Sequence, residues 1–242
     1  MKTVIPYKPD NPKSRLSAVF TEEERKYFVE LSLENVLSAL KDAGIKQVEL
    51  LCKSLLEPES EKRIRNMFCD DDAEMIFSAD ERDLNTAIND YLKKAGVPVL
   101  IVMADLALLT KENVAAMIAP PTENEATFVS PTENEARIVS PVAVEESFIR
   151  IAPGKDGGTN MMYIGAPEIF EVNYYGKSCE KHRDEAKNKN LVCEIYDSFS
   201  AAADMDEPED LKDILIHGKG KLPEFVLAAL KENETEKNKM KS

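Results

Sequence analysis

The sequence predicts an α/β domain on a parallel sheet, and three observations carry that prediction. A strand from Thr3 to Tyr7 leads through a polar loop into a long amphipathic helix, the opening of a β-loop-α-β unit. A second run, Val99-Leu100-Ile101-Val102-Met103, is apolar without alternation, as in a strand covered on both faces. The chain has 242 residues, 43% of them hydrophobic, which suits one large domain with a well-buried core and is too short for two of ordinary size plus linkers.

Taken in order, the first helix opens at Thr21 with Glu24 completing a capping box, and carries Phe28, Leu31, Leu33, Val36, Leu37 and Leu40. It stops at Ala43-Gly44, before a strand from Ile45 to Leu51. A right-handed crossover between these strands places the loop from Lys8 to Arg15 at the carboxyl edge of the sheet, where ligands collect. Asp83 caps a second helix with Leu84, Ile88 and Leu92 on one face, and the buried strand from Pro98 to Met103 follows.

Between Ile118 and Ile151 the chain repeats itself. Pro121-Thr-Glu-Asn-Glu-Ala-Thr-Phe-Val-Ser130 is followed by Pro131-Thr-Glu-Asn-Glu-Ala-Arg-Ile-Val-Ser140, with a looser third copy from Pro141. A solenoid repeat needs roughly twenty residues or more to bury a face, so the decamers read as a tolerated, mobile surface insertion at residues 120–146, with a partner-binding loop as the lesser reading. This divides the chain into a catalytic domain over 1–222 and a C-terminal helix and charged tail over 223–242. Phe225, Val226, Leu227 and Leu230 give that helix an apolar face that packs on its own core or on a second copy as a homodimer. About ten residues at the very end read as frayed.

Composition removes several function classes. A formal charge of −14 argues against nucleic acid, whose backbone must be met by a basic surface. No apolar leader or long apolar run marks export or a membrane partner, and Cys52, Cys69, Cys179 and Cys193 show no CxxC spacing, which fits a reduced, cytoplasmic protein. With only His182 and His217 present, multi-histidine zinc sites and most histidine-dependent triads fall away. Oxygen-ligated Mg²⁺ chemistry remains accessible.

Three separated segments then read as one site. Lys8, Lys13 and Arg15 follow the first strand, and a triphosphate needs such cations because charge grows on the leaving pyrophosphate. The plainer reading is a solvated loop. Pro6-Tyr7 also stands where many nucleotide loops carry glycines, which shifts the task from backbone amides to these side chains. Asp105 closes the central strand at the position from which a carboxylate points into the crevice, the alternative being an N-cap. Asp204 and Asp206 alternate about Met205, so an extended backbone puts both carboxylates on one face, ahead of the helix start Glu207-Pro208-Glu209-Asp210. Asp105, Asp206 and Asp204 thereby form a candidate set of Mg²⁺ ligands, although acids before a helix are common for dipole reasons alone. In Pro153-Gly-Lys-Asp-Gly-Gly158-Thr159-Asn160, the double glycine lets backbone approach an anion and Thr159 and Asn160 add donors; a hairpin turn is the alternative. The parts and their order fit nucleotidyl transfer. His182, one helical turn after Ser178, reads as structural.

Lys13-Ser-Arg-Leu16, Leu84-Asn85 with Ala87, Met103-Ala-Asp-Leu106, Gly157-Gly-Thr-Asn160, Gly176-Lys-Ser178 with His182, and Asp204-Met-Asp-Glu-Pro-Glu-Asp-Leu211 together resemble the archaeal 2-phospho-L-lactate guanylyltransferase family of coenzyme F-420 biosynthesis. The resemblance runs from Met1 to about Gly220, apart from the decamers. It implies a three-layer α/β/α nucleotidyltransferase fold, Rossmann-like and related to the GT-A glycosyltransferases, with a mixed, mainly parallel sheet. It further implies GTP with Mg²⁺ and guanylyl transfer to 2-phospho-L-lactate. The resemblance implies that Asp105 and Asp206 hold the metal, that Thr159, Gly176 and Ser178 grip the acceptor's phosphate and carboxylate, and that Asn85 is the candidate for the guanine side. Together with the residue readings this gives Lys8, Lys13, Arg15 and Asn85 as nucleotide-binding candidates, Lys13, Arg15 and Asp105 as catalytic candidates, Asp105, Asp206 and Asp204 as metal candidates, and Gly158, Thr159, Asn160, Gly176 and Ser178 as acceptor candidates. Rival readings are a related enzyme using phosphoenolpyruvate, 3-phosphoglycerate or a phosphosugar, and a non-catalytic nucleotide binder.

Overall fold

The computed structural model describes residues 1–8, 13–121 and 148–239; the decamer repeat and the expected insertion lie almost wholly outside the described residues. In chain order the elements are β1 (Lys2–Tyr7), α1 (Glu22–Asp42), β2 (Gln47–Cys52), α2 (Pro58–Phe68), β3 (Glu74–Ala79), α3 (Leu84–Ala95), β4 (Val99–Val102) and α4 (Lys111–Ile118). There follow β5 (Phe148–Pro153), β6 (Thr159–Ile164), α5 (Ser178–Asn188), β7 (Val192–Ile195), α6 (Phe199–Ala202), α7 (Leu211–His217) and α8 (Lys221–Lys239). Short 3₁₀ turns span Ser14–Ala18 and Pro208–Asp210.

One sheet runs β3-β2-β1-β4-β6-β5-β7, and within it only β6 opposes the other strands. The sheet is therefore mixed and mainly parallel, the exception arising because the Gly154–Gly158 segment is a hairpin turn between β5 and β6. Apolar clusters lie on both faces: α1, α2, α4, α6, α7 and α8 feed the larger, and α3 and α5 the smaller. Three layers result, helix on sheet on helix.

The expected signals operate locally. Thr21 and Glu24 form the capping box of α1, Gly44 takes φ +85° after its end, and Asp83 accepts N–H groups from Asn85 and Thr86 to cap α3. Between Leu51 and Asp83 stand α2 and β3, which the apolar pattern does not announce. Helix α2 buries only Ile64 and Phe68, and β3 is a half-exposed edge strand. Helix α8 begins before Pro223 and runs to Lys239, further than the fraying expected there. Its Phe225 stacks on Phe20 at 5.4 Å and meets Tyr27 edge-on, while Val226 and Ala229 are buried, so this face packs on its own core.

Strand order fixes where a ligand can sit. From β1 the chain steps outward to β2 and β3, then returns to the other side of β1 as β4, so the sheet's switch point lies between β1 and β4. Pro6 stands beyond Val4–Ile101, the last pairing of these strands, where its missing N–H costs their ladder nothing.

A buried pair closes the far side of the sheet. Arg150 on β5 donates from Nη1 to the carbonyls of Ala116, Met117 and Ala119 at the end of α4, and from Nε and Nη2 to Glu194 Oε2 on β7 at 2.8 and 2.6 Å. Both side chains are nearly inaccessible. Arg150→Ala strands the carboxylate and the helix-end carbonyls, and should cost about 3 kcal/mol of stability, read as a lower urea midpoint at unchanged slope.

Candidate active site

A cleft of about 400 Å³ opens above β1 and β4, lined among others by Pro6, Tyr7, Lys8, Lys13, Arg15, Met103, Asp105 and Asp206. Each lining segment is pinned by a buried apolar residue. Leu16, fully buried, anchors the 3₁₀ turn that Lys13 opens, and Leu16 N–H donates to the Lys13 carbonyl at 2.9 Å. Lys13 itself adopts the left-handed conformation, φ 49° and ψ 49°, uncommon for a residue with a Cβ. Leu106 buries the turn that follows Asp105. Met205 is fully buried between Asp204 and Asp206, while Asp210 accepts the N–H groups of Asp206 and Glu207 and fixes the loop they share.

At the centre, Lys13 Nζ donates to Asp105 Oδ2 and to Asp206 Oδ1, each at 2.6 Å, and the lysine side chain is only 7% exposed. Burial alone would lower the Lys13 pKa, but the two carboxylates and their hydrogen bonds outweigh it and hold the ammonium above the usual lysine range. Asp105 is thus the strand-end carboxylate in the crevice and not a helix cap. Asp204 lies alongside. Burial and then the Asp105 charge push its carboxyl up to about 6, with a hydrogen bond from Asn160 working the other way. A side chain at Gly154 would run into the Asp204 carboxylate and the Asn160 amide oxygen and force one or both to move.

The expected three-carboxylate metal set does not stand assembled. Among the described residues no three acidic, histidine or cysteine side chains are grouped to hold a metal ion, because Asp105 and Asp206 close on Lys13 while Asp204 turns toward Asn160 and Gly154. Lys8 is exposed at the rim. Arg15 pairs with Glu207 at 3.2 Å on the surface, a partner the sequence reading missed although it sits in the same acidic run.

The glycine-rich wall differs in detail from its sequence reading. Asn160 Nδ2 donates to the Ala201 carbonyl, so that donor is engaged by the protein. Thr159, Ser178 and His182 form a buried cluster: Ser178 Oγ donates to Thr159 Oγ1 at 3.2 Å, and His182 Nδ1 lies 2.9 Å from the same oxygen. The Asn173 N–H donates to His182 Nε2, leaving Nδ1–H to face Thr159 in the neutral ring, and burial lowers the histidine pKa to about 4. A β-bulge explains the arrangement. The register shift at Ala152/Pro153 pairs Pro153 with Thr159, so Thr159 leaves the face of Met161 and Tyr163 and reaches His182, while Asn160 turns to Ala201. Gly176, at φ +64°, turns the chain into α5, whose Cys179 N–H donates to the Gly157 carbonyl. Asn85 stands apart, its Oδ1 accepting the Tyr174 N–H at 2.7 Å and tying that loop to α3.

A family model described as guanylyl transferase CofC like matches residues 1–136 and 135–238, and the junction falls inside the second decamer. A 2-phospho-L-lactate guanylyltransferase of Methanosarcina mazei is 43% identical over 228 residues, covering 93% of this chain and 91% of the relative. Among solved structures, one described as a nucleotide-diphospho-sugar transferase from Desulfovibrio desulfuricans has a TM-score of 0.64 at 13% identity, covering 97% of this chain and 96% of the other. A mannosyltransferase from Pyrobaculum calidifontis, solved with GDP-Man and Mn²⁺, has a TM-score of 0.50 at 9% identity and covers 97% and 72%. Both structures share the fold.

Asp204 generates a prediction of definite sign. Its folded pKa of about 6 lies above the ordinary 3.8, so its contribution to stability is intact at low pH and is lost as pH rises through 6. Without divalent cations, wild type should lose stability relative to Asp204→Asn between about pH 4 and pH 6, with a constant difference above that, measured by denaturant unfolding across the range.

Proposed function

The chain belongs to the family of CofC-like guanylyl transferases, and we infer that it transfers the guanylyl group of GTP to the phosphate of 2-phospho-L-lactate, giving lactyl-2-diphospho-5'-guanosine and pyrophosphate in coenzyme F-420 biosynthesis. The observation that carries this reading is the meeting of Lys13, Asp105 and Asp206 at the switch point between β1 and β4.

Mg²⁺ fits the donor set. Two carboxylate oxygens already converge on one positive nitrogen, and Mg²⁺ commonly takes one or two carboxylates and fills its other positions with water and phosphate oxygens. Asp105 and Asp206 would hold it, with Asp204 beside them, and when bound it supplies charge neutralisation to the triphosphate. Lys8, Lys13 and Arg15 are the cations for the phosphates. Asn85 is the candidate for the guanine side on the family resemblance alone; it lies outside the lining of the cleft, and its carbonyl oxygen already accepts the Tyr174 N–H.

In the transfer, an acceptor phosphate oxygen forms a bond to the α-phosphorus of GTP as the bond to the β-phosphate oxygen breaks, and pyrophosphate leaves with that electron pair. A phosphate monoester has a second pKa of about 6 and is mostly dianionic at neutral pH, so no general base is required. His182, buried and neutral, is not asked for a proton. The protein's work is alignment and charge neutralisation. The acceptor wall comprises Gly158, Thr159, Asn160, Gly176 and Ser178. Since the Thr159, Asn160 and Ser178 side chains are buried, backbone groups around Gly158 and Gly176 carry more of that recognition.

Pyrophosphate release, measured with Mg²⁺ for four nucleoside triphosphates against 2-phospho-L-lactate, phosphoenolpyruvate and 3-phosphoglycerate, should be confined to GTP with 2-phospho-L-lactate. Release with GTP and another acceptor reassigns the acceptor, and none at all overturns the reading. Asp105→Asn should lower kcat by about 10²–10³-fold with an unchanged circular-dichroism spectrum.

A further inference from the structure

The Lys13 ammonium stands where a cation shared by Asp105 and Asp206 would stand. Both carboxylate oxygens lie 2.6 Å from the same nitrogen, and the lysine side chain is closed off from solvent. A divalent ion shared by the two carboxylates would compete with Nζ for the same oxygens, one positive charge close to another in a partly dehydrated site. The two occupants therefore exclude each other. Resting on the function inferred above, we propose that Lys13 fills the metal position in the substrate-free protein and yields it only when the metal arrives with the triphosphate, whose oxygens take over the ammonium.

Three features of the chain support the exchange. The ion pairs line the cleft that the triphosphate itself would enter, so the displaced ammonium needs only to swing about its own stem. The Lys13 backbone is left-handed, a conformation that neighbouring structure must hold in place, and its side chain is tied to segments 92 and 193 residues away. Finally, a metal arriving without nucleotide would take both carboxylates from the Lys13 ammonium and leave that charge without an anionic partner. A metal alone must break two short, charge-assisted contacts, whereas a metal–nucleotide complex replaces them.

The consequence is linkage. Metal and nucleotide each raise the other's affinity by the same factor, and the exchange at Lys13 enlarges that factor beyond what direct metal–phosphate bonding supplies. The test uses Mn²⁺ as probe, with bound ion read by electron paramagnetic resonance on the full chain, with and without GTP and with no acceptor present. Wild type should bind Mn²⁺ weakly alone and at least about tenfold more tightly with GTP. Lys13→Gln and Lys13→Met should bind Mn²⁺ alone about tenfold more tightly than wild type, so that their gain from GTP is about tenfold smaller than in wild type. Because the variants lose a counter-charge, their melting temperatures should also rise more with added Mn²⁺ than that of wild type, which checks folding in the same samples. Variants that bind Mn²⁺ no better than wild type overturn the exchange while leaving the metal site standing. So does wild-type binding that is equally tight with and without GTP. Failure of wild type to bind Mn²⁺ even with GTP overturns the exchange and the metal assignment together.

Discussion

One buried ammonium organises this molecule. Lys13 joins the turn after β1 to the end of β4 and to the loop before α7, segments separated by 92 and 193 residues, through two hydrogen bonds to charged oxygens. A lysine removed from water is tolerated only if its charge is met, and here the carboxylates meet it so fully that its proton is held more tightly than in solution. Such a pair is weak evidence of net stability, since desolvation offsets much of the attraction. It is strong evidence of register. Buried Leu16, Leu106 and Met205 carry the hydrophobic side of the same three segments, so the polar contact specifies which arrangement of well-packed parts is adopted.

The sheet supplies the reason the contact exists there. Parallel strands that step outward and then return leave a gap at their carboxyl ends, and β1 and β4 border that gap. On its other side the antiparallel β6 presents its amino end, and the bulge at Asn160 switches the faces that two neighbouring side chains take. Thr159 goes to the His182 cluster and Asn160 to the loop carrying Asp204. In a regular strand Thr159 would share the face of Met161 and Tyr163, and Asn160 that of Met162 and Ile164; the extra residue exchanges the two.

How much of this was legible in the sequence depends on whether a signal was local. Capping at Thr21 and Asp83, the stop at Gly44 and the unbroken apolar β4 are readable because the residues that cause them are adjacent in sequence. The crossover rule places the Lys13 loop, and the end of the apolar strand places Asp105, at one edge of the sheet, while Asp206 is joined to them through the order of the segments and the family resemblance. Other features were hidden. The edge position of β3 removes the apolar pattern that would reveal it, and the capping box at Thr110 and Asn113 is the signal that could have found α4. Neither the Asn173 backbone donor to His182 nor the Ala201 acceptor for Asn160 leaves any mark on local pattern, because each is supplied by tertiary approach. The lysine between the acids was legible as three residues and not as a contact.

The overall charge makes sense of that contact. With a formal charge of −14, the protein repels a free triphosphate at range, and a few local cations must overcome the whole field. Salt screens the long-range part, leaving the last approach to the cleft as the step where sign matters most. There Lys13 faces inward and is neutralised by its acids, so in the substrate-free state Lys8 and Arg15 are the cations nearest the entrance, and Arg15 itself is paired with Glu207. A nucleotide already carrying a divalent cation has less charge to be repelled and brings what Asp105 and Asp206 require once the lysine leaves. The acidic surface and the buried ammonium therefore select for the same species: both disfavour the bare anion, and the carboxylates disfavour a site left without a cation. Under the proposed exchange, the charge that pairs with Asp105 and Asp206 in the resting protein is the charge that would grip the phosphates once they arrive.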